Sequence, residues 1–161
     1  MKATPEQLGA WIKRWGGPLR AWLRGRCESP DDIIQETFCR LAQQSNVPDR
    51  LAPWLFHVAA NLMREEHRRS ERENRRSQVV ARSEARPSQV GDDLEAAELR
   101  QSIDGLPEEL REVLVARLWG DLTFQEVGKL VGASTATVQR RYERSLAMLR
   151  ERLGEPMPQE R

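Results

Sequence analysis

The clearest helical pattern in the chain occurs in LPEELREVLVARLWGDLTFQEVGKLVGASTATVQRRYERSLAMLRERL, residues 106–153. Its apolar residues recur at intervals of three and four, and Gly120 and Gly132 interrupt the pattern. Because such spacing places apolar side chains on one side of a helix and glycine favours helix ends, the stretch predicts three successive helices. The predicted buried faces of the first two helices are Leu110, Val113, Leu114 and Leu118, then Phe124, Val127, Leu130 and Val131.

The connection between the second and third of these helices is short. Thr123 can cap the second helix, and Gly132 suits the left-handed backbone conformation that ends it. Ser134 or Thr135 can then cap the third helix after a turn of only a few residues. Two helices in this linkage form a helix-turn-helix, whose second helix enters the major groove of DNA.

The third helix has two distinct faces. At about 100° per residue, one face is mostly apolar and is predicted to join the core. It comprises Val138, Tyr142, Ser145, Leu146 and Leu149. The other face is polar, and arginine can bond guanine edges or phosphates, glutamine can bond adenine, and a capped helix N-terminus attracts a phosphate. The polar arc lies roughly 120° from the core arc and comprises Thr137, Arg140, Arg141 and Arg144. We call this arc, together with the polar residues near the amino-terminal end of the helix, the recognition face; the latter are Ser134, Thr135 and Gln139.

A solvated basic face is the simpler interpretation of such a helix considered alone. The spacing of the two helices, the glycine turn and the contiguous polar groups together favour nucleic-acid recognition. Helix-turn-helix patterns also bind proteins, so a protein-docking role is the remaining alternative for this segment.

The composition predicts the fold class. The chain has 161 residues, of which 39% are hydrophobic and 32% charged. Lys and Arg total 26 against 25 Asp and Glu, so the net charge of +1 gives no global argument for binding nucleic acid. Valine and isoleucine are too scattered for the alternation that strands need. We therefore predict an all-α fold of two small helical domains joined by a flexible linker, the second being a helix-turn-helix domain.

The predicted domain boundaries follow shifts in composition. Residues 1–76 carry four helical stretches. Residues 77–98 lack a helical apolar period and shift from basic to acidic, which is typical of a flexible linker. Helical pattern resumes near Leu94, the helix-turn-helix domain covers residues 99–153, and residues 154–161 form a tail.

Four helices are predicted in the first domain. The first ends at the glycine pair 16–17, and the second begins at Pro18, because proline suits a first helical turn. Ser29 is predicted to cap the third helix, and the fourth runs from about Ala52 to residue 76 with a charged second half. The first helix is predicted to bury Leu8, Trp11, Ile12 and Trp15, and the third to bury Ile34, Thr37, Phe38 and Leu41.

Polar side chains of the third and fourth helices form two more candidate surfaces. Asp32, Gln35 and Glu36 are predicted to point outward from the third helix. On the fourth helix, residues spaced by four, three and four share one polar face suited to a DNA strand. They are His57, Asn61, Arg64 and Arg68. Glutamates interleave with the arginines of this helix, so a face of surface ion pairs is the alternative interpretation.

No catalytic or metal site is predicted. Cys27 and Cys39 lack a metal-ligand spacing with His57 or His67 and are interpreted as reduced, partly buried thiols. No nucleophile with a base, carboxylate pair or phosphate-binding glycine loop is evident, so we expect neither enzymatic activity nor a cofactor. No run of about eighteen apolar residues occurs, so we expect a cytoplasmic protein without membrane insertion.

Three segments of the chain resemble one family. Residues 121–153, DLTFQEVGKLVGASTATVQRRYERSLAMLRERL, resemble the fourth region of extracytoplasmic-function sigma factors. Residues 30–43, PDDIIQETFCRLAQ, resemble the family's second-region helix that docks on the polymerase clamp. Residues 52–70, APWLFHVAANLMREEHRRS, resemble the helix that engages and melts the minus-ten promoter element. The motifs stand in the family's order, which makes the resemblance more specific than any one motif.

The resemblance implies a sigma factor that binds bacterial core RNA polymerase and directs promoter recognition and transcription initiation. It implies no enzyme activity of the chain itself. The recognition face would bind the upstream minus-thirty-five element of promoter DNA. Regulation would come from a separate partner, such as an anti-sigma factor.

The resemblance also implies roles for the first domain. Asp32, Gln35 and Glu36 would face the polymerase clamp. Ser45 and Asn46, in a loop of about residues 44–50, would hydrogen-bond a flipped base of the minus-ten element. The same element would contact the polar face of the fourth helix, which comprises His57, Asn61, Arg64 and Arg68.

Two other functions fit the residues. A stand-alone helix-turn-helix transcriptional regulator would bind palindromic operator DNA, and its amino-terminal domain would bind a ligand or form a dimer. An adaptor whose helical domains bind only proteins would show no salt-dependent affinity for DNA.

Overall fold

The computed structural model describes residues 1–75 and 94–154. Most of the predicted linker and tail therefore lie outside the described residues. Within the described ranges every regular element is a helix, so the predicted all-α class is confirmed. The described residues fall into two compact units, one within Met1–Ser88 and one within Gln89–Arg161. The helices are α1 (Pro5–Leu23), α2 (Pro30–Gln43), α3 (Leu51–Asn74), α4 (Leu94–Asp104), α5 (Glu108–Leu118), α6 (Phe124–Val131) and α7 (Thr135–Leu153).

The first helix corrects the prediction of two helices separated at the glycine pair 16–17. α1 is continuous, and Pro18 lies inside it. Proline removes one helical hydrogen bond there. One buried stripe nevertheless spans the predicted break, because Trp15, Leu19, Trp22 and Leu23 all pack into the core. The burial of these large side chains outweighs the local preference of glycine and proline to end a helix.

The buried side of α1 also differs from the predicted one. Ile12 was expected in the core, but 47% of its surface is exposed. Leu8 and Trp11 are half-buried, and only Trp15 of the predicted set is buried. The buried stripe of α1 is therefore centred on the second half of the helix, and the stripe that the sequence predicts for the first half is only partly buried.

The core of the first unit forms where α1, α2 and α3 meet. Trp22 of α1 packs edge-on against Phe56 of α3, with ring centroids 5.7 Å apart. All four residues predicted for the inner face of α2 are buried. Ser29 occupies the N-cap position of α2, but its side chain forms no capping hydrogen bond, which corrects that part of the prediction. Asp31 in the first turn instead forms an ion pair with Arg20 of α1.

The charged second half of α3 contacts the loop that connects α1 to α2. The Glu66 carboxylate accepts a hydrogen bond from the backbone amide of Glu28 at 3.3 Å. The His67 ring nitrogen Nε2 lies 2.5 Å from the carbonyl oxygen of Arg26, and the Ser70 hydroxyl lies 3.5 Å from the Glu28 carboxylate. One side of this half-helix is thus occupied by polar contacts within the unit.

In the second unit α5 is the central helix. Residues 110–116 are buried without interruption, and they include Arg111 and Glu112. The Arg111 guanidinium donates to the carbonyl oxygens of Asp104 and Leu106 at 3.2 and 3.4 Å. Leu118, expected in the core, is 49% exposed, because α5 ends there and the backbone leaves the helix at Trp119.

The two cysteines differ in exposure. Cys27 is half-buried in the loop after α1, as predicted, whereas Cys39 is exposed on α2, which corrects the expectation of a partly buried thiol. Cys39 neighbours Phe38 in sequence but lies on the outer side of the helix, since successive residues turn by about 100°.

Candidate nucleic-acid interface

The turn between α6 and α7 has the predicted helix-turn-helix conformation. Thr123 caps α6, and the backbone amide of Thr123 donates in return to the Glu126 carboxylate at 2.8 Å. This reciprocal capping box was not anticipated, although Thr followed by Glu three residues later is its sequence signal. Gly132 ends α6 in the left-handed conformation, with φ 73° and ψ 37°. The Ser134 hydroxyl then caps α7 by accepting from the amide of Thr137 at 3.2 Å.

Aromatic and cationic contacts fix α6 against its neighbours. The Arg117 guanidinium donates to the carbonyl oxygen of Leu122 at 3.0 Å and lies 4.9 Å from the centre of the Phe124 ring. Phe124 in turn packs edge-on against Tyr142 of α7, with centroids 5.4 Å apart. These contacts join α5, α6 and α7, so the orientation of α7 depends on all three helices.

The predicted core face of α7 packs inward. Val138, Ser145 and Leu149 are buried, and Tyr142 and Leu146 are half-buried. Within the recognition face, the exposed residues are Ser134, Thr135, Gln139, Arg140 and Arg144, and the half-buried ones are Thr137 and Arg141. All seven are therefore at least partly accessible on α7, starting at its capped N-terminus.

Short polar contacts organise the amino-terminal end of the recognition face. The Thr137 hydroxyl accepts from the Ser134 hydroxyl at 2.9 Å and from the Arg140 guanidinium at 3.4 Å. The Gln139 side-chain amide donates to the Glu143 carboxylate at 3.4 Å. These bonds are exposed and weak, so the side chains can exchange them for bonds to a ligand.

Arg141 lies at the edge of the recognition face and contacts α5. Its guanidinium nitrogens stand 3.6 Å from the Glu109 carboxylate and 3.7 Å from the Glu112 carboxylate. The Glu112 side chain is only 11% exposed, whereas that of Glu109 is 73% exposed. No periodicity in the sequence relates these residues, because they belong to different helices.

The polar face of α3 is also present in the structure. His57, Asn61, Arg64 and Arg68 are exposed on one side of the helix. The Arg64 guanidinium donates to the Asn61 side-chain oxygen at 3.0 Å, and the Arg68 Nε donates to the Arg64 carbonyl oxygen at 3.3 Å. The intervening Glu65 is turned toward Arg40 of α2, 3.8 Å away, so its charge lies at the side of this surface.

Two further arginines extend this surface. Arg72 and Arg75 follow Arg68 at intervals of four and three residues, and both are exposed. Helical periodicity therefore places them on the same side as the four predicted residues. The spacing that identified Arg64 and Arg68 would have found them too, had it been followed to the end of the helix. We call the six residues the α3 face, namely His57, Asn61, Arg64, Arg68, Arg72 and Arg75.

The loop before α3 contains the other two residues expected at the minus-ten element. Ser45 and Asn46 are both exposed. The Asn46 side-chain oxygen accepts a hydrogen bond from the amino group of Met1, and the amide of Val47 donates to the Met1 carbonyl oxygen at 3.2 Å. Residue 1 therefore lies against this loop.

The residues expected at the polymerase clamp lie together on the outer side of α2. Asp32, Gln35 and Glu36 are exposed. The Glu36 carboxylate accepts from the Arg40 Nε at 2.9 Å, and Arg40 also contacts Glu65 of α3. The result is an acidic and amide surface whose edge is tied to α3 by one arginine.

Two other kinds of site are absent from the described residues. Across residues 1–75 and 94–154, no group of three His, Cys, Asp or Glu side chains is arranged to bind a metal ion. None of the helices in these ranges combines the length and the apolarity that crossing a bilayer requires.

The family model for sigma-70, region 4 matches residues 102–151, which include α5, α6 and almost all of α7. The RNA polymerase sigma factor CarQ of Myxococcus xanthus is 30% identical over 135 residues, which are 78% of this chain and 75% of CarQ. The ECF RNA polymerase sigma factor EcfG of Rhodopseudomonas palustris is 28% identical over 143 residues, which are 81% of this chain and 76% of EcfG.

A solved structure has a similar fold. It is that of the sigma factor RpoE of Bartonella quintana in complex with the anti-sigma factor NepR. The TM-score is 0.57 and the identity 18%, over 96% of this chain and all of that one. The fold and the turn between α6 and α7 define a helix-turn-helix protein. The similar proteins identify its family. The chain belongs to the extracytoplasmic-function family of RNA polymerase sigma factors.

Proposed function

We propose that this chain binds bacterial core RNA polymerase and directs it to promoters by contacting two DNA elements with its two helical units. The recognition face would bind the minus-thirty-five element. The α3 face, with Ser45 and Asn46, would bind the minus-ten element. The observation that carries the proposal is the recognition face itself, because a capped helix that exposes Thr135, Gln139 and Arg140 has the chemistry of base recognition.

The position of each residue along α7 indicates whether it would contact base edges or backbone phosphates. In a helix-turn-helix the amino-terminal residues of the second helix contact base edges. Thr135, Gln139 and Arg140 lie there, so we assign them to the bases. Arg144 lies one turn further along, and we assign it to a backbone phosphate. Ser134 and Thr137 shape the N-terminus, whose amides and positive dipole end suit a second phosphate.

The α3 face suits the backbone of a DNA strand. Its four arginines occur within three turns of helix, and each can neutralise one phosphate. Asn61 and His57, at the amino-terminal end, can hydrogen-bond bases. Because Glu65 and Glu66 contact Arg40 and the loop before α2, their charges weaken this surface less than the sequence alone suggests.

The exposed acidic and amide surface of α2, which comprises Asp32, Gln35 and Glu36, is assigned to the polymerase clamp. In this function the chain supplies specificity and the polymerase supplies catalysis, so we expect no enzymatic activity of the chain. A sigma factor acts where transcription occurs, which places it in the cytoplasm. A separate protein, such as an anti-sigma factor, would control its access to polymerase.

Run-off transcription tests the proposal. Bacterial core polymerase is mixed with the full-length chain and a library of genomic promoter fragments, and the transcript starts are sequenced. Transcripts that depend on the chain and begin downstream of a shared two-part motif are expected. Operator binding without polymerase stimulation would identify a stand-alone regulator instead. An absence of salt-dependent DNA affinity, with or without polymerase, would favour a protein adaptor.

A further inference from the structure

Glu112 is an acidic residue at a buried position, where apolar residues are usual. It lies in the middle of the seven-residue buried stretch of α5, and its side chain is 11% exposed. A carboxylate removed from water costs free energy unless an opposite charge or hydrogen bonds compensate it. The Arg141 guanidinium, 3.7 Å away on α7, is one such partner. The buried charge therefore bears directly on the recognition helix.

Arg141 is more enclosed than the other arginines of the recognition face. Its side chain is 26% exposed and faces two carboxylates, Glu109 and Glu112, through its two terminal nitrogens. Arg140 and Arg144 are exposed. A flexible arginine loses side-chain entropy when it binds, and one that is already oriented loses less. The guanidinium has five N–H donors, so ion pairs on one side leave it able to donate to a phosphate on the other.

We propose that Glu112 is a positioning residue for promoter recognition, which orients the Arg141 guanidinium for a phosphate of the minus-thirty-five element. This inference rests on the proposed function. Glu109, more exposed and 3.6 Å from the same guanidinium, completes the orientation from the solvent side. Glu112 would not touch DNA itself, and its effect on DNA binding would pass through Arg141.

The substitution Glu112→Gln tests the proposal, because it preserves the shape of the side chain and removes its charge. Removing a negative charge from a DNA-binding unit ordinarily strengthens binding, since less repulsion of phosphates remains. The proposal predicts the opposite. Glu108→Gln is the matched control. Glu108 is exposed at the start of the same helix, and its substitution removes the same charge.

Binding is measured with holoenzyme formed from core polymerase and each full-length variant, on the promoter fragment that gives the most transcript. Relative to Glu108→Gln, Glu112→Gln should weaken binding by about two- to tenfold, the equivalent of one lost hydrogen bond. In an Arg141→Ala background the same substitution should have no further effect on binding. Thermal unfolding of each variant reports any separate loss of stability.

Arg141→Lys provides a test that leaves Glu112 in place. It keeps the positive charge but replaces the planar fork that two carboxylates can orient. Weaker binding than wild type is expected, although the net charge is unchanged. The proposal is overturned if Arg141→Lys binds as wild type does, if Glu112→Gln binds as tightly as Glu108→Gln, or if the loss persists without Arg141. If the proposed function itself were wrong, the result would be different. The wild-type chain would then produce no transcripts that depend on its presence.

Discussion

The backbone amide of Ala133 donates to the carbonyl oxygen of Gly128 at 3.0 Å, and a side-chain carbon at Gly128 would lie 2.6 Å from the carbonyl oxygen of Ala133. The turn after α6 thus folds back directly over the last turn of that helix. Only a residue without a side chain permits this approach, and the tight connection to α7 depends on it.

Gly128→Ala should therefore destabilise the second unit. Alanine normally stabilises a helix by about 1 kcal/mol relative to glycine, but the clash with a backbone oxygen should cost about 1–3 kcal/mol and prevail. Denaturant unfolding followed by circular dichroism measures the change. Gly17→Ala is the control, because a side-chain carbon there meets no atom within 4 Å and should stabilise α1. Equal effects of the two substitutions would contradict the inferred close approach.

Thr123→Ala should remove the cap of α6. The Thr123 hydroxyl accepts from the amide of Glu126 at 3.2 Å, and α6 has only eight residues. We expect a loss of about 1 kcal/mol in the free energy of unfolding of the second unit. Thr123→Ser keeps the hydroxyl and should retain most of the stability. If Ser and Ala variants unfold at the same denaturant concentration, the cap contributes nothing.

Arg144→Ala should weaken DNA binding evenly across promoter sequences, because a phosphate contact carries no sequence information. The slope of log affinity against log salt should become shallower by about 0.9, the value for one phosphate. Binding is measured by fluorescence anisotropy with holoenzyme at several salt concentrations. Arg150→Ala, a change of equal charge on another side of α7, serves as the control and should leave the slope closer to that of wild type.

Arg140→Ala should instead change which sequences are bound. If Arg140 bonds a base edge, its loss should reduce discrimination at one position of the upstream element by about 1–3 kcal/mol. Selection from a promoter library randomised at that element, followed by sequencing, would reveal the position. A uniform loss over all sequences would assign Arg140 to the phosphate backbone instead.

The two thiols should differ in reactivity. Burial raises the pKa of the Cys27 thiol to about 12 from an ordinary 9.0, and the nearby Glu66 charge adds to the rise. Because the thiolate is the reactive form, iodoacetamide at pH 8 should modify exposed Cys39 and leave Cys27 largely unmodified until the chain is unfolded. Mass spectrometry of the wild type and Cys39→Ser measures this. Rapid modification of Cys27 in the folded Cys39→Ser variant would contradict it.

The same shift has a consequence for stability. Below about pH 9 the Cys27 thiol is protonated in both the folded and the unfolded chain. In that range the thiol therefore does not contribute to any pH dependence of the free energy of unfolding. Above that pH the unfolded chain loses the proton and the folded chain keeps it up to about pH 12. The free energy of unfolding, measured by denaturant titration across this range, should therefore fall between these values, and Cys27→Ala should reduce that fall.

The first unit shows where prediction from the sequence fails. The glycine pair 16–17 and Pro18 are strong local signals for a break, yet α1 is continuous. The two glycines and the proline together cost about 5 kcal/mol locally. Burying Leu19, Trp22 and Leu23 in a core with α2 and α3 contributes about 1.5–3 kcal/mol for each side chain and offsets that cost. Whether the local cost or the gain from burial is larger depends on the helices that pack against α1. Those helices lie elsewhere in the sequence, so the local pattern does not reveal the outcome.

Local sequence patterns are enough to predict the helix-turn-helix, because caps and apolar periodicity act between residues only a few positions apart. Thr123, Gly132 and Ser134 therefore have the conformations that their local pattern predicts. Arg141 faces Glu112, by contrast, because α5 and α7 pack together in the folded unit. The two residues lie 29 positions apart, and no local pattern in the chain indicates which side chains will meet across two packed helices.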